Sequence, residues 1–137
     1  MLFKTIVHIM EEQATKTGMP VLFGDRDCIN EQVNQVSGMF LSFDVTGGDG
    51  SNKPPATSVY TVIIRCMDQS FYMEDNLREL QVLIDTDIQL RSILSEVVCK
   101  LEVMNVSFRK VQNEYDTKKS GWEATLRLTD SQVGINE

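Results

Sequence analysis

One histidine, three cysteines, three prolines and one tryptophan are all that 137 residues hold of these side chains. Each scarcity excludes something. With His8 alone, no carboxylate pair has an obvious proton carrier near neutral pH beside it, and no cluster of His, Cys and Asp ligands can be assembled from the sequence. Cys28, Cys66 and Cys99 are odd in number, widely spaced and form no CxxC pair, so neither a disulfide framework nor a tetrahedral zinc site is read from them. They read as buried thiols of a reducing compartment. Basic residues number 13 against 20 acidic ones, a net charge of -7, and the densest basic group is Lys118 with Lys119. A face that holds nucleic acid by neutralising phosphates is not expected from that balance. No run approaches the ~20 apolar residues of a membrane span, and the apolar start of MLFKTIVHIMEEQATK is interrupted at Glu11 and Glu12. The expectation is therefore no secretory signal and no membrane partner. The sequon Asn105-Val106-Ser107 then has no route to a glycan.

What is present is an ordinary globular mixture, 42% apolar and 24% charged, at a length that suits one core. Leu2, Phe3, Ile6, Val7, Ile9, Met10 and Ala14 recur at helical spacing, predicting a helix over 2–16 that ends at Gly18 and Pro20. Val21 to Phe23 is a short apolar run, and DRDCINEQVNQVSG reads as a surface connection with one helical turn. Met39, Leu41, Phe43 and Val45 alternate as a strand does, and VYTVIIRCM is apolar on both faces like a central strand. Between them the thirteen residues 46–58, TGGDGSNKPPATS, read as a long loop projecting from a hairpin. From Glu74 to Glu102 the period is helical, with a core stripe expected at Leu77, Leu80, Ile84, Ile88, Leu94, Val98 and Leu101, widened by Leu83, Leu90 and Val97. Asp75 or Asn76 caps its start, and Asp85, Thr86 and Asp87 are a candidate break. Residues 103–115 and the alternating run Trp122, Ala124, Leu126, Leu128 close the fold as two strands. The expected class is α+β: an antiparallel sheet with two helices on one face, one domain over 1–130 and a tail over 131–137.

Three stretches invite a chemical reading. TGGDGSNK fails as a phosphate loop: Lys53 is misplaced, no Ser or Thr follows it, and Pro54-Pro55 forbids a helix starting there. DVTGGDGSN carries Asp44, Asp49 and Asn52 but lacks the helix-flanked calcium pattern and any nonapeptide repeat. GDRD sets Asp25 and Asp27 around Arg26, which reads first as a charged turn whose arginine pairs with an acidic neighbour or a partner subunit. With no GxSxG and no nucleophile beside a base, no catalytic residue, cofactor site or metal site is assigned, and the chain is expected not to be an enzyme. Phe71, Tyr72 and Met73 stand together before the long helix. They either close the core or anchor a contact, since aromatics and Met are enriched at interface centres.

The order of elements, PVLFGDRDCIN after the first helix, FLSFDV and VYTVIIRCM joined by a long loop, the helix holding NLRELQVL and the closing hairpin NEYDTKKSGWEATLRL together resemble the tail terminator, or tail completion, proteins of long-tailed bacteriophages. Neighbouring neck and head-completion proteins share such small designs. The resemblance spans most of residues 1–130 and is one of lengths and order, without a signature motif. It implies a virion structural protein assembled in the host cytoplasm, a homo-oligomeric ring of six subunits that caps the tail tube and meets the head connector or neck protein. DNA would pass through an acidic lumen without specific binding. Interface candidates on this reading are Asp25, Arg26, Asp27, Gly48, Asp49, Lys53, Pro54, Pro55, Phe71, Tyr72, Glu123 and Arg127, with Glu123, Thr125 and Arg127 as an exposed face of the last strand. The alternative is a small non-enzymatic dimeric binding or regulatory module of a bacterium or mobile element.

Overall fold

The computed structural model describes residues 2–51 and 57–131. Elements follow in the order α1 (Leu2–Thr17), β1 (Val21–Phe23), α2 (Arg26–Gln32), a 3-10 turn (Val33–Gln35), β2 (Phe40–Ser51), β3 (Thr57–Gln69), α3 (Asn76–Lys100), β4 (Val103–Glu114) and β5 (Lys119–Ser131). The fold is α+β, built on one five-stranded sheet of order β1-β2-β3-β5-β4. Four strands are antiparallel, as expected; β1 joins β2 in parallel, Val21 beside Leu41 and Phe23 beside Phe43. The parallel edge follows from α2 and the 3-10 turn, which carry the chain from the end of β1 back to the start of β2 at the same end of the sheet.

Alternation along the strands sorts side chains onto two faces. Leu41, Phe43, Val62, Ile64, Ala124, Leu126 and Leu128 meet Ile6, Ile9, Met10 and Ala14 of α1 and Leu90, Ile93, Leu94 and Val97 of α3 in the main core. The two long helices therefore lie side by side on one face, joined by Gln13 Nε2 donating to Gln89 Oε1 at 2.6 Å. On the other face Ile29 and Val33 of the α2 region cover Phe40, Met67, Val111 and Tyr115. The stretch after Gly24 is thus a helix with a 3-10 extension, more than the single turn expected. Its polar sequence hid this because only Ile29 and Val33 point inward.

α1 ends where expected: Gly18 takes φ +74°, and the Gly18 and Met19 amides both donate to the Ala14 carbonyl, a terminus that glycine adopts without strain. α3 starts at Asp75, whose carboxylate accepts from the Arg78 amide at 3.3 Å. Replacing Asp75 with Ala should cost about 1 kcal/mol, read as a drop of a few degrees in thermal melting; an unchanged melting temperature would show that the cap adds nothing. α3 is unbroken at Asp85–Asp87. Asp85 accepts from Gln81 and Asp87 from Arg91, each one turn away, and the Thr86 hydroxyl donates to the Val82 carbonyl at 2.8 Å. The three polar residues therefore satisfy themselves without leaving the helix.

The 46–58 stretch is corrected most. β2 runs to Ser51 and β3 begins at Thr57, paired from Gly47–Thr61 to Ser51–Thr57 after a register shift between Val45 and Gly47. β5 continues alongside, reaching Ser131 opposite Thr57. Gly48 and Asp49 are strand residues, because backbone pairing on both sides of β3 overrides the turn preference of glycine. Lys53, Pro54 and Pro55 lie outside the described residues, as does the tail beyond Ser131.

Candidate functional site

Register brings charge together on the face opposite α1 and α3. Ser42 pairs with Arg65, Arg65 with Glu123, and Glu123 with Arg109, in one row across β2, β3, β5 and β4. The Glu123 carboxylate accepts from Arg65 Nε at 2.7 Å and from Arg109 Nε at 3.0 Å. Arg65 Nη1 donates to the Tyr115 hydroxyl at 2.7 Å. Tyr115 sits at φ +67° in the β4–β5 turn, and Arg26 and Arg65 both lie over its ring. Burial would raise the Glu123 carboxyl, but the bonds and charges of Arg65 and Arg109 outweigh it and hold the group below the usual carboxylate range. Burial also works against the Arg65 charge, and Tyr115 and Glu123 outweigh it. Lys119 is buried at the end of the same strand, its Nζ donating to the Val36 carbonyl at 3.0 Å, and burial lowers its pKa. A hollow of about 180 Å³ beside this row is lined by Arg26, Arg65 and Tyr115 and also by Asp25 and Asp44. Both arginines already face a carboxylate, so the hollow is a mixed-charge seam between α2 and the sheet.

Glu123 was expected on an exposed strand face; it is 6% exposed, and the correction follows from the two arginines that register places beside it. Arg127, four residues further along β5, is exposed. Asp25 caps α2, accepting from the Cys28 amide at 3.0 Å, and this bond lowers its pKa. Arg26 pairs with Glu114 at 3.0 Å, 88 positions away, and Asp27 is exposed on α2. Phe71 is half-buried with Arg78 4.3 Å from its ring centre. Its amide donates at 2.7 Å to Glu79, a buried carboxylate that also accepts from Gln112. Tyr72 and Met73 are exposed. Cys66 is buried, where loss of solvent pushes its thiol pKa up, whereas Cys28 and Cys99 are exposed, against the expectation of three buried thiols. Among the described residues no three His, Cys, Asp or Glu side chains form a metal-holding group, and no helix is long and apolar enough to cross a membrane.

The largest reversal is on α3. Leu77, Leu80, Ile84, Ile88 and Val98, expected in the core stripe, are 79%, 58%, 54%, 58% and 53% exposed. The buried side is Val82, Leu83, Thr86, Leu90, Ile93, Leu94 and Val97. α3 is apolar on two sides, and a sequence stripe cannot say which side meets its own sheet. The ridge from Leu77 to Ile88 continues toward β4, where Met104 and Val106 are also exposed. Two contacts set that direction: Arg91 lies 4.7 Å from the Phe108 ring centre, and Trp122 Nε1 donates to the Leu83 carbonyl at 2.8 Å. Trp122 itself is stacked on Phe108, centroids 4.9 Å apart. It pins β5 and β4 to the flank of α3, which is what the closing hairpin does within the subunit.

At the far edge of the sheet, α1 and β1 frame a shallow depression of about 540 Å³ lined by Ala14, Met19, Val21 and Phe23, with Glu11 at its rim. Phe23 is 44% exposed. The sheet thus ends on one side in an apolar shoulder and on the other in an apolar depression. No family model matches this chain, and no curated protein sequence matches it either.

Proposed function

We propose that this chain is a structural subunit of a ring at the head-tail junction of a long-tailed phage, capping the tail tube and joining it to the neck. The observation that carries the reading is the α3 ridge. Leu77, Leu80, Ile84 and Ile88 form a contiguous exposed apolar face on a domain whose own core is complete, and such faces mark protein contacts in soluble domains. The net charge of -7 suits a lumen through which DNA slides. The β2–β3 hairpin end is the natural contact with the tube. Binding is by surface complementarity, with no turnover.

Adding the purified chain to tail tubes that lack their terminal protein tests this. Electron microscopy should show a ring on one end of each tube, and capped tubes should stop growing when tube protein is supplied. Uncapped tubes that lengthen as before would end the reading.

A second reading, a two-fold dimeric module, is favoured by one observation. Antiparallel pairing of two α3 ridges about a two-fold axis at the level between Leu80 and Ile84 would oppose Leu80 of one copy to Ile84 of the other, both exposed. Light scattering that gives a dimer under all conditions, with or without tubes, would select it.

A further inference from the structure

We infer that the shoulder formed by α3 and β4 docks into the depression formed by α1 and β1 of a second copy of this chain, extending the sheet from subunit to subunit. The inference deepens the ring reading and rests on it for closure. Three independent observations fit together.

The first is position. β4 and β1 are the two outer strands of the order β1-β2-β3-β5-β4, and unpaired strand edges are surfaces that proteins cover. β1 runs parallel to β2, while β2–β3, β3–β5 and β4–β5 are antiparallel. A neighbour's β1 set beside β4 in the same sheet order therefore meets it antiparallel. The neighbour's α1 then falls next to the outer flank of α3, as this chain's own α1 lies against the inner flank through Gln13 and Gln89.

The second is shape and polarity. Leu80 and Ile84 of α3 and Val106 of β4 are exposed apolar side chains, and Ala14, Met19 and Phe23 line a shallow hollow, both sets on the helix-bearing side of the sheet. On β1, Phe23 shares its face with Phe43 of the main core; on β4, Val106 shares its face with Leu126.

The third is charge. Between Val103 and Val111 the charged residues of β4 are Arg109 and Lys110, both exposed, and Lys110 has no ion-pair or hydrogen-bond partner among the described residues. The opposite edge is acidic: Glu11 rims the depression, and Asp27 and Glu31 stand one turn apart on α2, whose Gln32 donates to the Phe23 carbonyl. Basic edge meets acidic edge, which favours this docking over its mirror. Because the two patches differ, the contact is heterologous: it closes rings when the rotation fits and does not stop at dimers.

Disulfide trapping in the full chain tests it. In a Cys28→Ser, Cys99→Ser background, the double variant Phe23→Cys, Val106→Cys is oxidised, alone and on tail tubes, and run without reductant. The expected result is a ladder of covalent oligomers that collapses with reductant, while each single variant stays monomeric. Adding Lys110→Glu should lower the ladder yield about fivefold, as loss of one rim charge pair does. Covalent dimers from Val106→Cys alone, or from Ile84→Cys alone, would show a two-fold contact and overturn the inference, as would absence of a ladder under both conditions. A ladder from a protein that never caps tubes keeps the contact and removes the tail reading; capped tubes with no ladder do the reverse.

Discussion

Replacing Glu123 with Ala should lower the melting temperature by roughly 10–20 °C, the consequence of about 3–5 kcal/mol for leaving one member of a buried ion pair alone. Arg65 is the group left behind: its side chain is 13% exposed and the Glu123 side chain 7%. With the carboxylate gone, Tyr115 is the remaining hydrogen-bond partner of that guanidinium among the described residues. Arg109 is 64% exposed, so water screens its bond to Glu123, and Arg109→Ala should cost under about 1 kcal/mol. The contrast between the two substitutions separates a buried charge from a surface pair. Equal effects would refute the assignment.

The same network sets an acid limit. Folding lowers the Glu123 pKa below its ordinary value of 4.5. The unfolded chain therefore binds that proton first as pH falls. The stabilisation is fully present above the ordinary glutamate range and is lost as pH drops through the lower folded value. Melting curves from pH 7 down to about pH 3 should show the wild type losing stability more steeply than Glu123→Gln at the acid end. Parallel curves would mean the carboxylate is not held charged in the fold.

The second large effect is at Gly121. It lies on β5 opposite Met67 of β3 and Val111 of β4. A Cβ built there would overlap the Cys66 carbonyl oxygen and stand 2.8 Å from the Met67 Cα. Those are backbone atoms of a central strand, which cannot step aside as a side chain does. Gly121→Ala should therefore cost about 3 kcal/mol or more, seen as a fall of about 10 °C or more in melting temperature, or as insoluble protein. Gly38→Ala, where nothing stands within 4 Å, is the control and should melt like the wild type. If Gly121→Ala also melts like the wild type, the strands are not packed this closely.

Helix α1, the central strands and the closing hairpin were legible because their signals are local: a 3.6-residue period stopped by Gly18, and strict alternation at Trp122 to Leu128. The polarity of α3 was not. Leu77, Leu80, Ile84 and Ile88 form as good a stripe as Leu83, Leu90, Ile93 and Val97, and spacing carries no sign that distinguishes a core face from a contact face. Buried Glu79 and Thr86 also masked the true inner side, since each is tolerated there only through its hydrogen bonds. Glu123 failed as a surface residue for a similar reason: alternation shows which face it shares, while Arg65 and Arg109 come from strands 58 and 14 positions away.

Local covalent order was enough to determine the α+β class, the hairpins and the helix termini, because period, caps and turns act over a few residues. Tertiary structure decided the parallel edge of β1, the strands that replace a loop at 46–51, the Arg65–Glu123–Arg109 row and the exposed ridge of α3. Each of those depends on which distant segments share a register or a face, and that choice is made by the burial and charge pairing of the assembled sheet.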